Sequence, residues 1–434
     1  MILIKSCIFE TTQDISMEKP DYRIKIIGAG LSGLVAAKVL EDQGYSPEIY
    51  EASDRVGGRI KTDIVEGYQL DRGFQVLLSA YPKAKEYLDY KKLDLQELLP
   101  GAVIFENGKS KTIGDPLRSA SLLLPTIFAG IGNFSDKLKI LNLYKVLKKK
   151  SVEEIFESHV GTSLEYLQQK GFSEAIITIF FKPFFSGIFL EPNLETSSSM
   201  FEFVFKMFGE GLAVIPKQGM GDISKHIAGR LKNTKIHFKT PVNQVKEGEV
   251  ILENGETIKA HFTIIATEAS TLVNNLKNQE THWRSCHTFY FETEKRVIEK
   301  PLIGLITDED AIINNIFYHT SVATGSNGGK ELLSVTVVKQ TDLSLAELQK
   351  KVEQDLKKYC GVGEARFLKH YFIKKALPKI EDLQYEMDPT ETQLNNTIFL
   401  AGDQLLNASQ NAAMLSGERA ALGLIKNLEG GSIS

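Results

Sequence analysis

Three groups of residues have the types and spacing to do chemistry. Gly28-Ala29-Gly30-Leu31-Ser32-Gly33 places three glycines in a G-x-G-x-x-G pattern. Glu51-Ala52 follows about twenty residues on, and Arg55-Val56-Gly57-Gly58-Arg59 comes directly after it. Gly402-Asp403 stands near the other end of the chain, followed by Ser409-Gln410-Asn411-Ala412-Ala413-Met414. Glycines at the first spacing permit a tight turn, a close approach of backbone to a pyrophosphate, and close packing of a helix on a strand. The pyrophosphate then meets the free N–H groups and positive dipole end of a helix. An acid at Glu51 can accept hydrogen bonds from a ribose, and it disfavours a 2′-phosphate, which argues against NADP. Arginines flanking paired glycines can bring guanidinium and backbone against phosphate or flavin oxygens.

The elements around these residues must position them. Ile24-Lys25-Ile26-Ile27 reads as a buried strand ending at Gly28. Leu31, Val35 and Val39 recur at helical spacing, with Lys38, Glu41 and Asp42 on the polar side and Gly44 as the stop. Glu48 to Glu51 reads as a second strand, so the glycines sit at the first turn of a βαβ unit. Near the C-terminus, Thr397 to Ala401 reads as a buried strand and Ser409 opens the last helix.

This set resembles the FAD-binding fingerprint of the flavin-containing amine oxidases, shared with protoporphyrinogen oxidases and phytoene desaturases. The resemblance implies an α/β protein: a Rossmann-like FAD-binding domain of the glutathione reductase type with an inserted α+β substrate domain. It assigns residues 21–85, 213–270 and 392–430 to the FAD domain, and 86–212 and 271–391 to the substrate domain. It implies cofactor contacts at Gly28, Ala29, Gly30, Leu31, Ser32, Gly33, Glu51, Ala52, Arg55, Gly58 and Arg59. Gly73, Phe74 and Gln75 match the segment that runs under the flavin, and Gly73 also reads as a β-bulge. Val242 matches the position whose backbone meets the adenine, and Asp403 the one on the ribityl or pyrophosphate portion. The helix start near Ala412, Ala413 and Met414 matches the flavin pyrimidine edge, where an N-terminus stabilises negative charge. Ala412 departs from the family pattern, which often carries glycine there.

The chain of 434 residues is long enough for two domains. Apolar content of 42% and charged content of 24% are those of a globular protein that stays in water. A net charge of −4 without a long basic run excludes nucleic acid as the expected partner. Cys7, Cys286 and Cys360 form no disulfide or zinc pattern, and the eight histidines show no ligand spacing, so neither disulfide nor metal is expected and a cytoplasmic location fits. Residues 1–20 read as a disordered tail, with Met17 as the expected natural start; N-terminal mass spectrometry of native protein tests this.

Between the motifs the signals are weaker. Lys83 to Tyr90 reads as a helix, and Ala102 to Ile113 as a hairpin turning at Asn107-Gly108. Leu122 to Ile131 is the most apolar stretch, broken by Pro125 and Gly130 and too short to span a bilayer. Lys137, Lys139, Lys145, Lys148, Lys149 and Lys150 follow it. Such a pair of segments predicts either peripheral contact with an anionic membrane or a helical pair of the substrate domain. Phe180, Phe181, Phe184, Phe185 and Phe189, then Phe201, Phe203, Phe205 and Phe208, form an aromatic cluster not confined to one helical face. It reads as packed core or as the wall of an apolar substrate tunnel. Strands are expected at Lys235–Thr240, Val250–Lys259 (a hairpin), Phe262–Ala266, His287–Phe291 and Leu333–Val338, and a helix at Leu345–Tyr359. Tyr371 to Pro378 resembles the strand that re-enters near the flavin. Its neighbours Lys374 and Lys375 point to opposite sides, so at most one faces inward.

The expected activity is dehydrogenation of a bulky apolar, polyene-like small molecule by hydride transfer to N5 of non-covalently bound FAD, with oxygen or a quinone as electron acceptor. No catalytic base stands out. The alternatives are an amine oxidase, a non-redox flavin-dependent isomerase, and a binding protein resembling the Rab GDP-dissociation inhibitors; the complete arginine–glycine and Gly402-Asp403 set speaks against the last.

Overall fold

The computed structural model describes residues 17–114, 132–158, 161–276 and 280–430. The first sixteen residues, with Cys7, and the apolar stretch Leu122–Ile131 lie outside these.

The N-terminal βαβ unit forms as its pattern requires. Strand Ile24–Ile27 is buried throughout, helix Leu31–Asp42 follows Gly30, and strand Glu48–Tyr50 pairs parallel to the first, Ile26 against Ile49. Five parallel strands make one sheet in the order 235–237, 48–50, 24–27, 262–265, 398–400. Its members come from three separated stretches of sequence. Helix Leu31–Asp42 packs on the last helix, Gln410–Leu428, against this sheet. Leu34, Val35, Ala36 and Ala37 meet Ala420, Ala421 and Leu424 in a common core. That packing is tight: a Cβ on Gly417 would lie 2.1 Å from the Ser32 carbonyl oxygen.

A second sheet has seven strands, in the order 365–379, 282–293, 331–337, 315–318, 303–306, 101–106, 109–114. All its pairings are antiparallel except that of 303–306 with 101–106. Helix Leu345–Cys360 covers part of it, burying Leu348, Val352 and Leu356 against Phe289, Phe291 and Val335. The expected hairpin at Asn107-Gly108 is present, with φ of +51° and +72° at the two turn residues, the left-handed pair that joins two strands most tightly.

The insertion also carries a set of helices: Phe134–Lys149, Val152–Glu157, Ser163–Gln169, a run from Glu174 to Phe189, and Ser198–Glu210. Several start on capping boxes, such as Asn133 with Asp136, Ser151 with Glu154 and Thr162 with Glu165. The Glu174–Phe189 run widens to a π-helix over Ile177–Phe181. This extra residue per turn shifts the register of the phenylalanines that follow. Gly73 does not bulge a strand: strand Tyr68–Asp71 has ended, and Gly73 turns the chain in a loop at φ +97°. Among the described residues no helix is long and apolar enough to cross a membrane.

Candidate functional site

The motif residues converge from both ends of the chain on a cavity of about 1720 Å³. Its walls include Gly28, Gly30, Leu31, Ser32, Glu51, Ala52, Gly58 and Arg59 from the N-terminal motif, then Gly73, Phe74 and Gln75. Val242, Gly402, Asp403 and Ala413 complete the polar end. Five residues from the same motifs stand behind that wall. Ala29 spends its N–H on Glu51, Gly33 packs on Gly28, Arg55 is paired with Asp63, and Ala412 and Met414 are buried in core clusters.

The turn at Gly28 follows from sterics. Gly28 has φ +103°, and its N–H donates to the Tyr50 carbonyl at 2.8 Å. A Cβ on Gly33 would lie 2.0 Å from the Gly28 carbonyl oxygen, so only glycine lets the helix start this close to the strand. Glu51 then ties turn to loop. Its Oε2 accepts from Ala29 N–H at 2.8 Å, and its Oε1 accepts from the Ser53 N–H at 2.9 Å and hydroxyl at 2.5 Å. Lys61 Nζ donates to the same Ser53 hydroxyl at 2.6 Å.

Helix Leu31–Asp42 opens into this cavity without a side-chain cap, in contrast to the capped helices of the insertion. Its first N–H groups therefore need an acceptor from elsewhere. Gly30 and Gly58 face one another here: a Cβ on Gly58 would stand 3.3 Å from the Gly30 Cα. A narrow, side-chain-free slot beside an uncapped helix start is the shape and charge a pyrophosphate needs. A second vacancy in the hydrogen bonding lies at the start of the last helix. Gln410 lines the cavity, and its Oε1 is buried with no partner. Ser409 caps this helix through Ala412 N–H at 3.0 Å. These features fit a dinucleotide with a hydrogen-bonding ring at its far end.

Arg59 and Asp403 meet in an ion pair. The Arg59 guanidinium also lies 5.2 Å from the Trp283 ring centroid and donates to the Ala376 carbonyl at 3.4 Å. Burial pulls the Arg59 pKa down and the Asp403 carboxylate more than reverses it, so it stays charged. Gly402 holds φ +151° as the chain leaves the sheet, with its N–H bonded to Ser416 Oγ at 2.9 Å. Gln75 Nε2 donates to the Arg59 carbonyl at 3.2 Å, fixing the loop after Gly73.

The other end of the cavity is apolar. Phe180, Phe184, Phe205 and Phe208 line it, with Met200 and Val204. Phe180 and Phe184 stack at 5.5 Å. Phe181, Phe201 and Phe203 are buried in the core and do not line the cavity, while Phe185 and Phe189, also buried, sit between core and wall. The same helices thus supply both core and cavity wall.

Several wall residues carry no sequence signal. Trp283, Arg284 and Cys286 come from one strand of the seven-stranded sheet, Thr336 from the strand beside it and Asn315 from the next one over. Arg284 donates to the Phe189 carbonyl at 2.7 Å and to Thr196 Oγ1 at 2.8 Å. Cys286 is remote from the motifs in sequence yet reaches the cavity; burial raises its thiol to about 12, so it stays protonated. Lys375 lines the wall and pairs with Glu268, while Lys374 is exposed and outside it. Strand pairing alone brings these side chains to the site, which is why no local pattern marks them. Among the described residues no cluster of three metal-ligating side chains occurs.

Comparison with known proteins agrees with this geometry. The chain is 26% identical over 165 residues to protoporphyrinogen oxidase 2 of Arabidopsis thaliana, covering 38% of this chain and 32% of that one. It is 30% identical over 164 residues to an L-amino-acid oxidase of Bothrops moojeni, covering 34% and 32%. The matches thus span about a third of the length of these curated relatives. An oxidoreductase from Methanosarcina mazei superimposes with a TM-score of 0.70 at 16% identity, over 94% of this chain and all of that one, which shows the fold. Because the family model for flavin-containing amine oxidoreductases matches residues 31–425, nearly the whole chain from the first helix to the last, this protein belongs to that family of oxidoreductases.

Proposed function

We propose that the protein binds FAD non-covalently and dehydrogenates a bulky, apolar, polyene-like small molecule. The observation that carries this reading is the continuity of one cavity from the uncapped helix start at Gly30 to the aromatic wall of Phe180, Phe184, Phe205 and Phe208. FAD supplies the two-electron acceptor when bound, with oxygen or a quinone to reoxidise it.

The residues of this chain would bind and orient. Gly30, Gly58 and the N–H groups of Leu31 and Ser32 would hold the pyrophosphate. Glu51 keeps one lone pair of Oε2 for a ribose hydroxyl after accepting from the Ala29 N–H there and from the Ser53 N–H and hydroxyl on Oε1. Asp403, held by Arg59, would hold the ribityl or pyrophosphate portion, and the Pro241–Val242 backbone would meet the adenine. The protonated thiol of Cys286 is a poor nucleophile, which supports a non-covalent cofactor. At the apolar end the phenylalanine rings exclude water and fix the substrate, so that positioning lowers the barrier without a side-chain base.

Anaerobic mixing of the yellow holoprotein with polyenes, porphyrinogens and amines tests this. Bleaching of flavin absorbance by a polyene supports the proposal. Bleaching by amines alone assigns an amine oxidase. Product formed with no bleaching and no net oxidation assigns an isomerase.

A further inference from the structure

We infer that the outer face of helix Phe134–Lys149 docks on an anionic lipid bilayer and holds the mouth of the cavity against it. The helix is anchored on one side only. Leu143 and Leu147 are buried, and Lys206 Nζ donates to the Leu147 carbonyl at 2.9 Å. Asp136, the helix's single acid, is buried and bound by Asn133 and Ser173.

The opposite side should be polar on an ordinary surface helix. Instead Phe134 is 76% exposed, Leu138 52% and Leu141 41%, at positions i, i+4 and i+7 of one stripe. The same stripe continues into Lys145, Lys148 and Lys149 over the last two turns, all exposed. Among the described residues these three lysines form no ion pair, whereas the neighbouring Lys150 is matched to Glu202. Apolar side chains beside unmatched lysines are complementary to a surface with diffuse negative charge over an apolar interior. The helix is about 24 Å long at 1.5 Å per residue, suited to lying in the interface plane.

The position of the face is as telling as its composition. Leu141 is exposed and also lines the cavity, together with Lys137, Ile140 and Tyr144. The cavity therefore reaches the surface along this helix. An apolar substrate, as in the proposed function, would partition into a bilayer and enter from it; the docking itself does not rest on that reading.

The test uses flavin-loaded full-length protein and no substrate, so its outcome is independent of the substrate. Vesicles of phosphatidylcholine alone and of phosphatidylcholine with phosphatidylglycerol are sedimented with the protein at low and high salt. Binding is expected only to the anionic vesicles, with release by salt. The triple variant K145E/K148E/K149E is expected to weaken the partition about tenfold or more. F134S/L138S is expected to weaken it similarly at unchanged flavin content, which shows that both variants fold. Absence of binding to anionic vesicles at low salt overturns the inference, as does binding that neither variant changes. A dimer in solution that F134S/L138S dissociates, without vesicle binding, gives the face to a second copy instead.

Discussion

Arg59 and Asp403, 344 positions apart in the chain, form one ion pair in the wall of the cavity. The pair joins the two motifs on which the site depends, and Trp283 lies beside it at 5.2 Å from the guanidinium. Asp403 is 4% exposed, so removing its partner leaves a buried carboxylate without compensation. Arg59→Ala and Asp403→Ala are each expected to weaken FAD retention about tenfold or more. The double variant should lose less than the sum of the two, as a double-mutant cycle on FAD affinity will show.

Two glycines of the first motif should separate folding from binding. Gly33→Ala places a Cβ 2.0 Å from the Gly28 carbonyl oxygen, so the helix must move off the strand. Loss of soluble, cooperatively melting protein is expected. Gly30→Ala meets nothing nearer than the Gly58 Cα at 4.0 Å and keeps its φ of −77°. It should melt close to the parent and yet bind FAD poorly, because the methyl enters the slot.

Glu51 acts on both the turn and the ligand. Its carboxylate is 8% exposed and accepts from Ala29 and Ser53. Glu51→Gln keeps an acceptor but puts an amide N–H₂ opposite one of those donors. A drop in FAD affinity of about tenfold is expected, by titration of the apoprotein, with melting lowered by about 1–2 kcal/mol.

The aromatic rings divide by their surroundings. Phe181 is fully buried outside the cavity wall, and Phe181→Ala should cost about 3–5 kcal/mol of stability in denaturant unfolding. Phe184 stacks on Phe180 in the cavity wall, and Phe184→Ala should cost less stability while raising KM for an apolar substrate severalfold. Equal losses of stability from both would contradict a tunnel.

Asp71 gives a pH signature outside the cavity. Burial raises its carboxyl to about 6, with the Thr62 hydroxyl and the Met220 N–H at 2.9 Å only partly offsetting this. The folded state keeps the proton that the unfolded chain releases near 4, so this group's contribution is full at low pH and is lost as pH rises from about 4 through 6. Asp71→Asn can keep both acceptor contacts without the charge. The variant should gain about 2–3 kcal/mol over the parent at pH 8 and little at pH 4, measured by urea unfolding across that range.

What was legible in the sequence was local. Strand, turn and helix from Ile24 to Asp42 follow from isoleucine content, three glycines and a helical apolar stripe, because each is fixed by contacts within a few residues. The Asn107-Gly108 hairpin follows for the same reason. The sequence by itself therefore determined the family, the α/β class and the two motifs whose residues meet at the polar end of the cavity. Only the tertiary structure decided which phenylalanines of the Glu174–Phe189 run face core and which face cavity, because a π-helical turn at Ile177–Phe181 resets their register. It alone brought Trp283, Arg284, Cys286 and Asn315 to the wall, since strand pairing joins residues that no spacing relates. And it alone turned Phe134, Leu138 and Leu141 outward, because which face of a helix is covered depends on what packs against it, not on the helix.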